Sequence, residues 1–374
     1  MDIYKKLGIK TFINAYDTMT MYGSTIMDDD VLDSYKDSAR LLVDMNELQD
    51  ILGKKIAEIT HNEAAYITTG ASMGITLAIC ACMAEGDRYK LSKLPNTEGM
   101  KNEVIIMRGQ RNPYDKAIEV AGAKLIEIGN LAMTNEFELE GVINESTAAI
   151  YFIQASNYAK AILPLEKVIE IGHKHGVKVI VDAAAQIPPI DNLWNFTRMG
   201  ADAVAFSGGK AIRGPLNTGF IVGKKEIIDA CKICGFPNRG VARGGKVSRE
   251  DMVAMYIALE KLLKMSNEEY DAILRNRCNI LIDGLKDIDE LNIGIEEIGP
   301  VGQIYPRVEI GLKTNKYTVD ELAKYLKEDE PGILVGLPLQ YPHNVFYLNP
   351  MTLFDCQLDT VINQIKKAIK EFNK

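Results

Sequence analysis

Between residues 64 and 181 the chain alternates short apolar runs with helical patterns, and this alternation most restricts what it can fold into. Residues 64–68 read as a strand, and an apolar helix pattern over 73–84 follows at once. Residues 104–107, 124–128, 148–153 and 177–181 read as further strands, with helices expected at 113–121 and 164–174. Strands joined through helices by short connections build a mostly parallel sheet covered by helices. An amphipathic stretch precedes them, with Leu48, Ile51, Leu52, Ile56 and Ile59 at helical spacing. After Gly235 the pattern changes to a basic loop, then helical stretches at 248–264 and 268–286. Strand-like pieces at 304–312, 333–336 and 345–348 alternate with helical patterns at 319–327 and 355–372. The expected fold class is therefore α/β, with a smaller α+β domain at the C-terminal end. The division expected is an N-terminal segment, 1–45, packing with the small domain, a large domain, 46–245, and the small domain, 246–374.

One stretch of the large domain carries chemistry. Residues 203–206 and 219–223 are apolar runs, and Ser207-Gly208-Gly209-Lys210 lies between them. A lysine held in a glycine turn between buried strands can lose its proton and act as a nucleophile, because burial disfavours the ammonium. A hairpin loop with a solvated lysine is the plainer alternative. Two further features, each weak alone, add weight to the first when taken together. The strand at 177–181 runs into Asp182, and the strand at 64–68 runs into Thr69-Gly70-Ala71-Ser72 at a helix start. Such a junction suits an anion, since free N–H groups and the helix dipole point at it. Ligands of open α/β sheets bind beyond the carboxyl ends of the strands. Gly70, Asp182 and Lys210 all follow a strand, so one sheet edge is expected to gather them.

Bulk properties exclude several roles. Across 374 residues the formal net charge is −8, with an isoelectric point near 5.3. An acidic chain is no general nucleic-acid binder. No run approaches the roughly 20 apolar residues that span a bilayer, and a cytoplasmic protein is expected. Cys231 and Cys234 form a CxxC without a second pair or a histidine cluster, so no metal is expected. His173 and His175 sit at a helix end and are not the catalytic candidates. Gly240–Lys246 nearly spells a phosphate loop but fails at Val247, where serine or threonine is required. A basic patch of Arg239, Arg243 and Lys246 that grips phosphate or carboxylate remains, as does a merely solvated cluster.

A lysine, an aspartate and a glycine-rich helix start fit pyridoxal 5'-phosphate, which needs an amine, an acid for its ring nitrogen and an anion cradle. The chain resembles the selenocysteine-synthase-like branch of fold-type I pyridoxal-phosphate enzymes. Within it, the chain is most similar to ammonia-lyases of D-glucosaminate 6-phosphate. The resemblance rests on INAYDTMTMYG (13–23), VDMNELQDILGKKIAEIT (43–60), AAYITTGASMG (64–74), MRGQRNPYDKA (107–117), QASNYAK (154–160), VDAAAQ (181–186) and FSGGKAIRGP (206–215).

That family implies Lys210 as the Schiff-base lysine and α-proton base, and Asp182 as the partner of the pyridine nitrogen. Gly70, Ala71, Ser72 and Ser207 would hold the cofactor phosphate. Gln110 stands near the ring where histidine is more usual, which leaves open what stacks there. Arg111 in the same segment, and Asn157, which with Tyr158 matches a family motif near the site, are further candidates for contacting the substrate. A site at a homodimer interface is implied, with Tyr22 or Lys246 reaching the partner's cofactor. Arg213, Arg239, Arg243 and Lys246 are candidates, on charge density, for gripping a small amino acid or amino-sugar acid. The implied reaction is α,β-elimination to a 2-oxo-3-deoxy acid and ammonia. Selenium transfer to seryl-tRNA, another pyridoxal-phosphate reaction on a small amino acid, and a non-catalytic binding protein on the same fold are the alternatives. The tRNA reading sits poorly with the acidic charge.

Overall fold

Every strand expected from the alternation is present in the computed structural model, which describes residues 3–155 and 161–374. In chain order the strands are β1 Phe12–Ala15, β2 Ala64–Thr68, β3 Glu103–Met107, β4 Lys124–Ile128, β5 Thr147–Ile153 and β6 Lys178–Asp182. They continue with β7 Ala203–Ser207, β8 Gly219–Gly223, β9 Leu291–Ile298, β10 Ile304–Leu312, β11 Gly332–Val335 and β12 Val345–Leu348. Among the described residues a seven-stranded sheet has the order β2-β8-β7-β6-β5-β3-β4. Only β8 runs against its neighbours, pairing antiparallel with both β2 and β7. The other six strands point the same way.

The sheet is buried because its strands are apolar on both faces, as helix-covered parallel strands must be. All seven residues of β5 and all five of β8 are buried. Helix Gly70–Ala84 crosses the sheet, and twelve of its residues are buried, so it is apolar all round. Helix Met45–Ile59 closes the free edge of β2. Gln49 Nε2 donates to the Ile67 carbonyl at 2.7 Å, and Gln49 Oε1 accepts the Ile67 N–H at 3.3 Å. An edge strand left bare would invite pairing with another chain.

The chain divides into two units, residues 27–264 and residues 1–26 with 265–374. The second unit has its own core, in which Leu281, Val308, Ile310, Leu322, Phe346 and Ile365 are fully enclosed. There β1 pairs parallel with β11, and β12, β10 and β9 form an antiparallel sheet. The boundaries differ from those expected at 45 and 245. Residues 27–45 fold with the large unit, because helix Asp29–Ser38 packs on helix Arg249–Leu262. Arg249 Nη2 donates to the Ala39 carbonyl at 2.6 Å, and Lys261 pairs with Asp28 at 2.9 Å and Asp30 at 2.8 Å. Residues 246–264 stay in the large unit for the same reason.

Candidate active site

Because β2, β6 and β7 point the same way, Thr68, Asp182 and Ser207 end at one edge of the sheet. The glycine-rich helix start, the aspartate and the lysine turn therefore converge there. The contact is close at Gly219, which pairs in register with Ser207. A Cβ on Gly219 would lie 2.5 Å from the Gly70 carbonyl carbon and 2.7 Å from the Ala71 nitrogen. Only a glycine lets the start of β8 pass against the helix start. Gly209 is under the same constraint, since its Cβ would lie 2.7 Å from Leu216 Cα. The turn that carries Lys210 is thus folded tightly on itself. The Gly208 N–H donates to the Thr218 carbonyl and the Gly214 N–H to the Gly208 carbonyl, both at 2.8 Å.

Asp182 is buried, and its two carboxylate oxygens meet different donors. Tyr151 donates its hydroxyl proton to Oδ2 at 2.9 Å, and the Ala184 N–H donates to Oδ1 at 2.9 Å. Burial pushes the Asp182 carboxyl above its ordinary value. The Ala184 N–H, the Tyr151 hydroxyl and the charge of Lys210 act against that rise. The last of these places lysine and aspartate within each other's electrostatic reach. Burial and the neighbouring carboxylate push the Tyr151 hydroxyl well up, so it stays a donor. Lys210 itself is half-buried rather than enclosed.

The helix Gly70–Ala84 begins at the glycine, three residues before the expected start, and among the described residues Thr69 at the cap position makes no side-chain capping bond. Thr69 stands at the cap position but donates its hydroxyl to the Lys246 carbonyl at 2.9 Å instead. An ordinary capped start would use that hydroxyl oxygen as acceptor for the first amides. Here the first turn is left for an outside anion, with Ser72 exposed beside it. The loop around Lys246 is seated on this helix start, since a Cβ on Gly245 would lie 2.9 Å from Met73 Cε. This cradle, whose first turn Thr69 leaves uncapped, fits the phosphate of pyridoxal 5'-phosphate.

The remaining expected residues scatter. Gln110 is fully buried after β3. Its Nε2 donates to the Ile153 carbonyl at 2.8 Å, while its Oε1 has no partner among the described residues. A fully buried acceptor without a donor is rare in packed protein. Arg111 pairs with Asp115 and Glu127 and so braces the loop after β3. Arg213 lies in the left-handed region at φ 61° and pairs with Asp28 at 3.2 Å. Arg243 is exposed over the Phe236 ring, 5.6 Å from its centroid. Arg239 lines a cleft that neither Lys210 nor Asp182 borders. Tyr22 belongs to the other unit, where Lys327 Nζ donates to its hydroxyl at 3.2 Å and its ring meets Phe12 and Tyr16. Asn157 and Tyr158 lie outside the described residues. Tyr151 was absent from the sequence-based set. Its only signal, a tyrosine within an apolar strand, does not tell which face it occupies.

Comparison with known proteins agrees with this geometry. Residues 105–330 match the family model described as aminotransferase class-V. The chain is 28% identical, over 98% of its length, to the D-glucosaminate-6-phosphate ammonia lyase of Salmonella typhimurium, of which it covers 97%. Over 77% of its length it is 30% identical to a 5'-C-glycyluridine monooxygenase-decarboxylase of a Streptomyces species, of which it covers 72%. A solved structure of D-glucosaminate-6-phosphate ammonia-lyase matches over 100% of both chains, with a TM-score of 0.85 and 27% identity.

Proposed function

This chain belongs to the aminotransferase class-V family, and from that premise we propose that it is a pyridoxal 5'-phosphate-dependent ammonia-lyase. Its substrate is a sugar-derived amino acid of the D-glucosaminate 6-phosphate type, and its products are a 2-oxo-3-deoxy acid and ammonia. The observation that carries this reading is the convergence of Lys210, Asp182 and the uncapped start of helix Gly70–Ala84 on one sheet edge.

When bound, pyridoxal 5'-phosphate supplies an electron sink for negative charge at the substrate's α-carbon. The protein's own groups do the rest. The first-turn amides of Gly70, Ala71 and Ser72, with Ser207, would hold the phosphate. Asp182 would accept the ring N–H, its orientation set by Tyr151 and the Ala184 N–H. Lys210 would hold the aldehyde end of the cofactor, and its amine would take the substrate's α-proton and hand a proton to the departing β-hydroxyl. Water lost in that step is regained when the enamine product tautomerises and hydrolyses, so the net change is loss of ammonia. Lys246 and Arg243, on the loop seated against the cradle, attract the substrate's phosphate and carboxylate.

The unit of function is a homodimer. Leu41, Leu42 and Val43 stand exposed in succession beside helix Met45–Ile59, with Leu42 90% exposed. Such a strip suits a second copy of the chain. The compartment is the cytoplasm, since five of the six cysteines are buried free thiols, a state that a reducing medium preserves.

The test is incubation of cofactor-loaded protein with D-glucosaminate 6-phosphate. Ammonia and 2-oxo acid should appear in equal amounts. Carbon dioxide in place of ammonia would move the assignment to the chemistry named for the Streptomyces relative, and no turnover at all would remove the substrate class.

A further inference from the structure

The large unit carries a second polar cleft, of about 360 Å³, that the chemistry above does not use. Its lining includes Asp50, Tyr66, Arg88, Lys232, Asn238 and Arg239, and none of Gly70, Ser72, Asp182 or Lys210. Three cations and one carboxylate give it a net charge of about +2, in a chain whose total is −8. A chain this acidic does not gather cations in one hollow by average composition.

The charges are unequally engaged. Lys232 Nζ pairs with Asp50 Oδ1 at 2.7 Å, which cancels one positive charge. Among the described residues neither Arg88 nor Arg239 has a carboxylate within ion-pair distance, so two guanidiniums border the cleft unneutralised. The wall between them is fixed. Tyr66 donates its hydroxyl to the Phe236 carbonyl, and Asn238 Nδ2 donates to the Lys232 carbonyl at 2.7 Å. A guanidinium presents parallel N–H groups that match phosphate oxygens two at a time. The volume sits at the small end of ligand pockets, room for a phosphate with a modest appendage.

We propose that this cleft binds a phosphate dianion, free or as a small phosphate monoester, through Arg88 and Arg239 at a site separate from the catalytic edge. The proposal does not rest on the ammonia-lyase assignment. It withdraws Arg239 from the substrate set and gives it a different anion. The loop that leaves the cleft at Arg239 is the one whose Lys246 carbonyl holds Thr69.

The test is calorimetric titration of the cofactor-loaded protein with inorganic phosphate, and in a second arm with glucose 6-phosphate, in phosphate-free buffer. Loading, read from cofactor absorbance, keeps the cradle occupied, so phosphate cannot bind there. Binding of one phosphate per chain is expected, weakened at least tenfold in Arg88→Ala/Arg239→Ala and tightened in Asp50→Asn. In Lys246→Ala it should be unchanged. The monoester binding and free phosphate failing would identify the appendage as part of the ligand. No binding of either, binding indifferent to the two arginines, or binding lost in Lys246→Ala would overturn the proposal.

Discussion

Two buried aspartates sit at opposite ends of the same sheet, and they are served differently. Asp202 precedes β7 at the amino edge, where His173 Nε2 lies 2.9 Å away, Lys178 Nζ 3.9 Å, and the Val179 N–H donates at 2.8 Å. Asp182 ends β6 at the carboxyl edge and receives hydrogen bonds from a tyrosine hydroxyl and one amide. The first carboxylate meets a histidine ring, a lysine and a backbone amide of its own fold, and it ties helix Leu165–Lys174 to the sheet. The second is buried with neutral donors, and its carboxyl is pushed upward by that burial. A buried carboxyl with a raised value, and no cation bonded to it among the described residues, suits a partner that arrives later, and the proposed partner is the ring nitrogen of the cofactor.

The sharpest way to break this comparison begins with the lysine that shares the edge. Lys210→Ala should lower turnover by about 10³–10⁴-fold and leave the fold intact, as judged by circular dichroism. Asp182→Asn should cost roughly 10²-fold or more in turnover while the fold persists, as judged by circular dichroism. Asp202→Ala should do the opposite, keeping turnover and destabilising by about 1–3 kcal/mol in denaturant titration, since the buried Val179 N–H loses its acceptor.

A finer test uses pH. Asp182 has a folded-state value raised above its ordinary 3.8. Its contribution to apoprotein stability is therefore full below 3.8 and is lost as pH rises through the raised value. Melting of the apoprotein across that window should show the decline, and Asp182→Asn should flatten it. Wild type and variant with the same slope would mean the carboxyl is not buried as described. The smallest effect belongs to Tyr151→Phe. Losing one hydrogen bond to the carboxylate should weaken cofactor binding by about tenfold, while Tyr151→Phe in the apoprotein should keep its fold.

The same contrast explains what the sequence could disclose. The strands were legible because buried parallel strands are continuous apolar runs, and Lys210 and Gly70 were legible because each interrupts such a pattern. Strand direction then brought them to one edge, as the alternation implied. Tyr151 and Asp182 are 31 residues apart in sequence, and no local pattern in a fully buried strand says which face a tyrosine takes. Arg111 looked like a substrate grip until its partners, Asp115 and Glu127, were seen beside it. β9 was missed because its alternation is weak, with most of its residues exposed or half-buried. Helix Arg88–Lys93 was hidden in a stretch that its polar residues and Pro95 marked as loop. The boundaries at 27 and 264 depend on one helix packing on another more than 200 residues away, which periodicity does not report.

The central claim is that one amine and one carboxylate serve the same cofactor. Borohydride reduction of the cofactor-loaded protein, followed by peptide mass analysis, tests it most directly. One pyridoxyl group per chain, fixed on Lys210 and absent from Lys210→Ala, is the expected result. A label on another lysine, or none, would contradict the account.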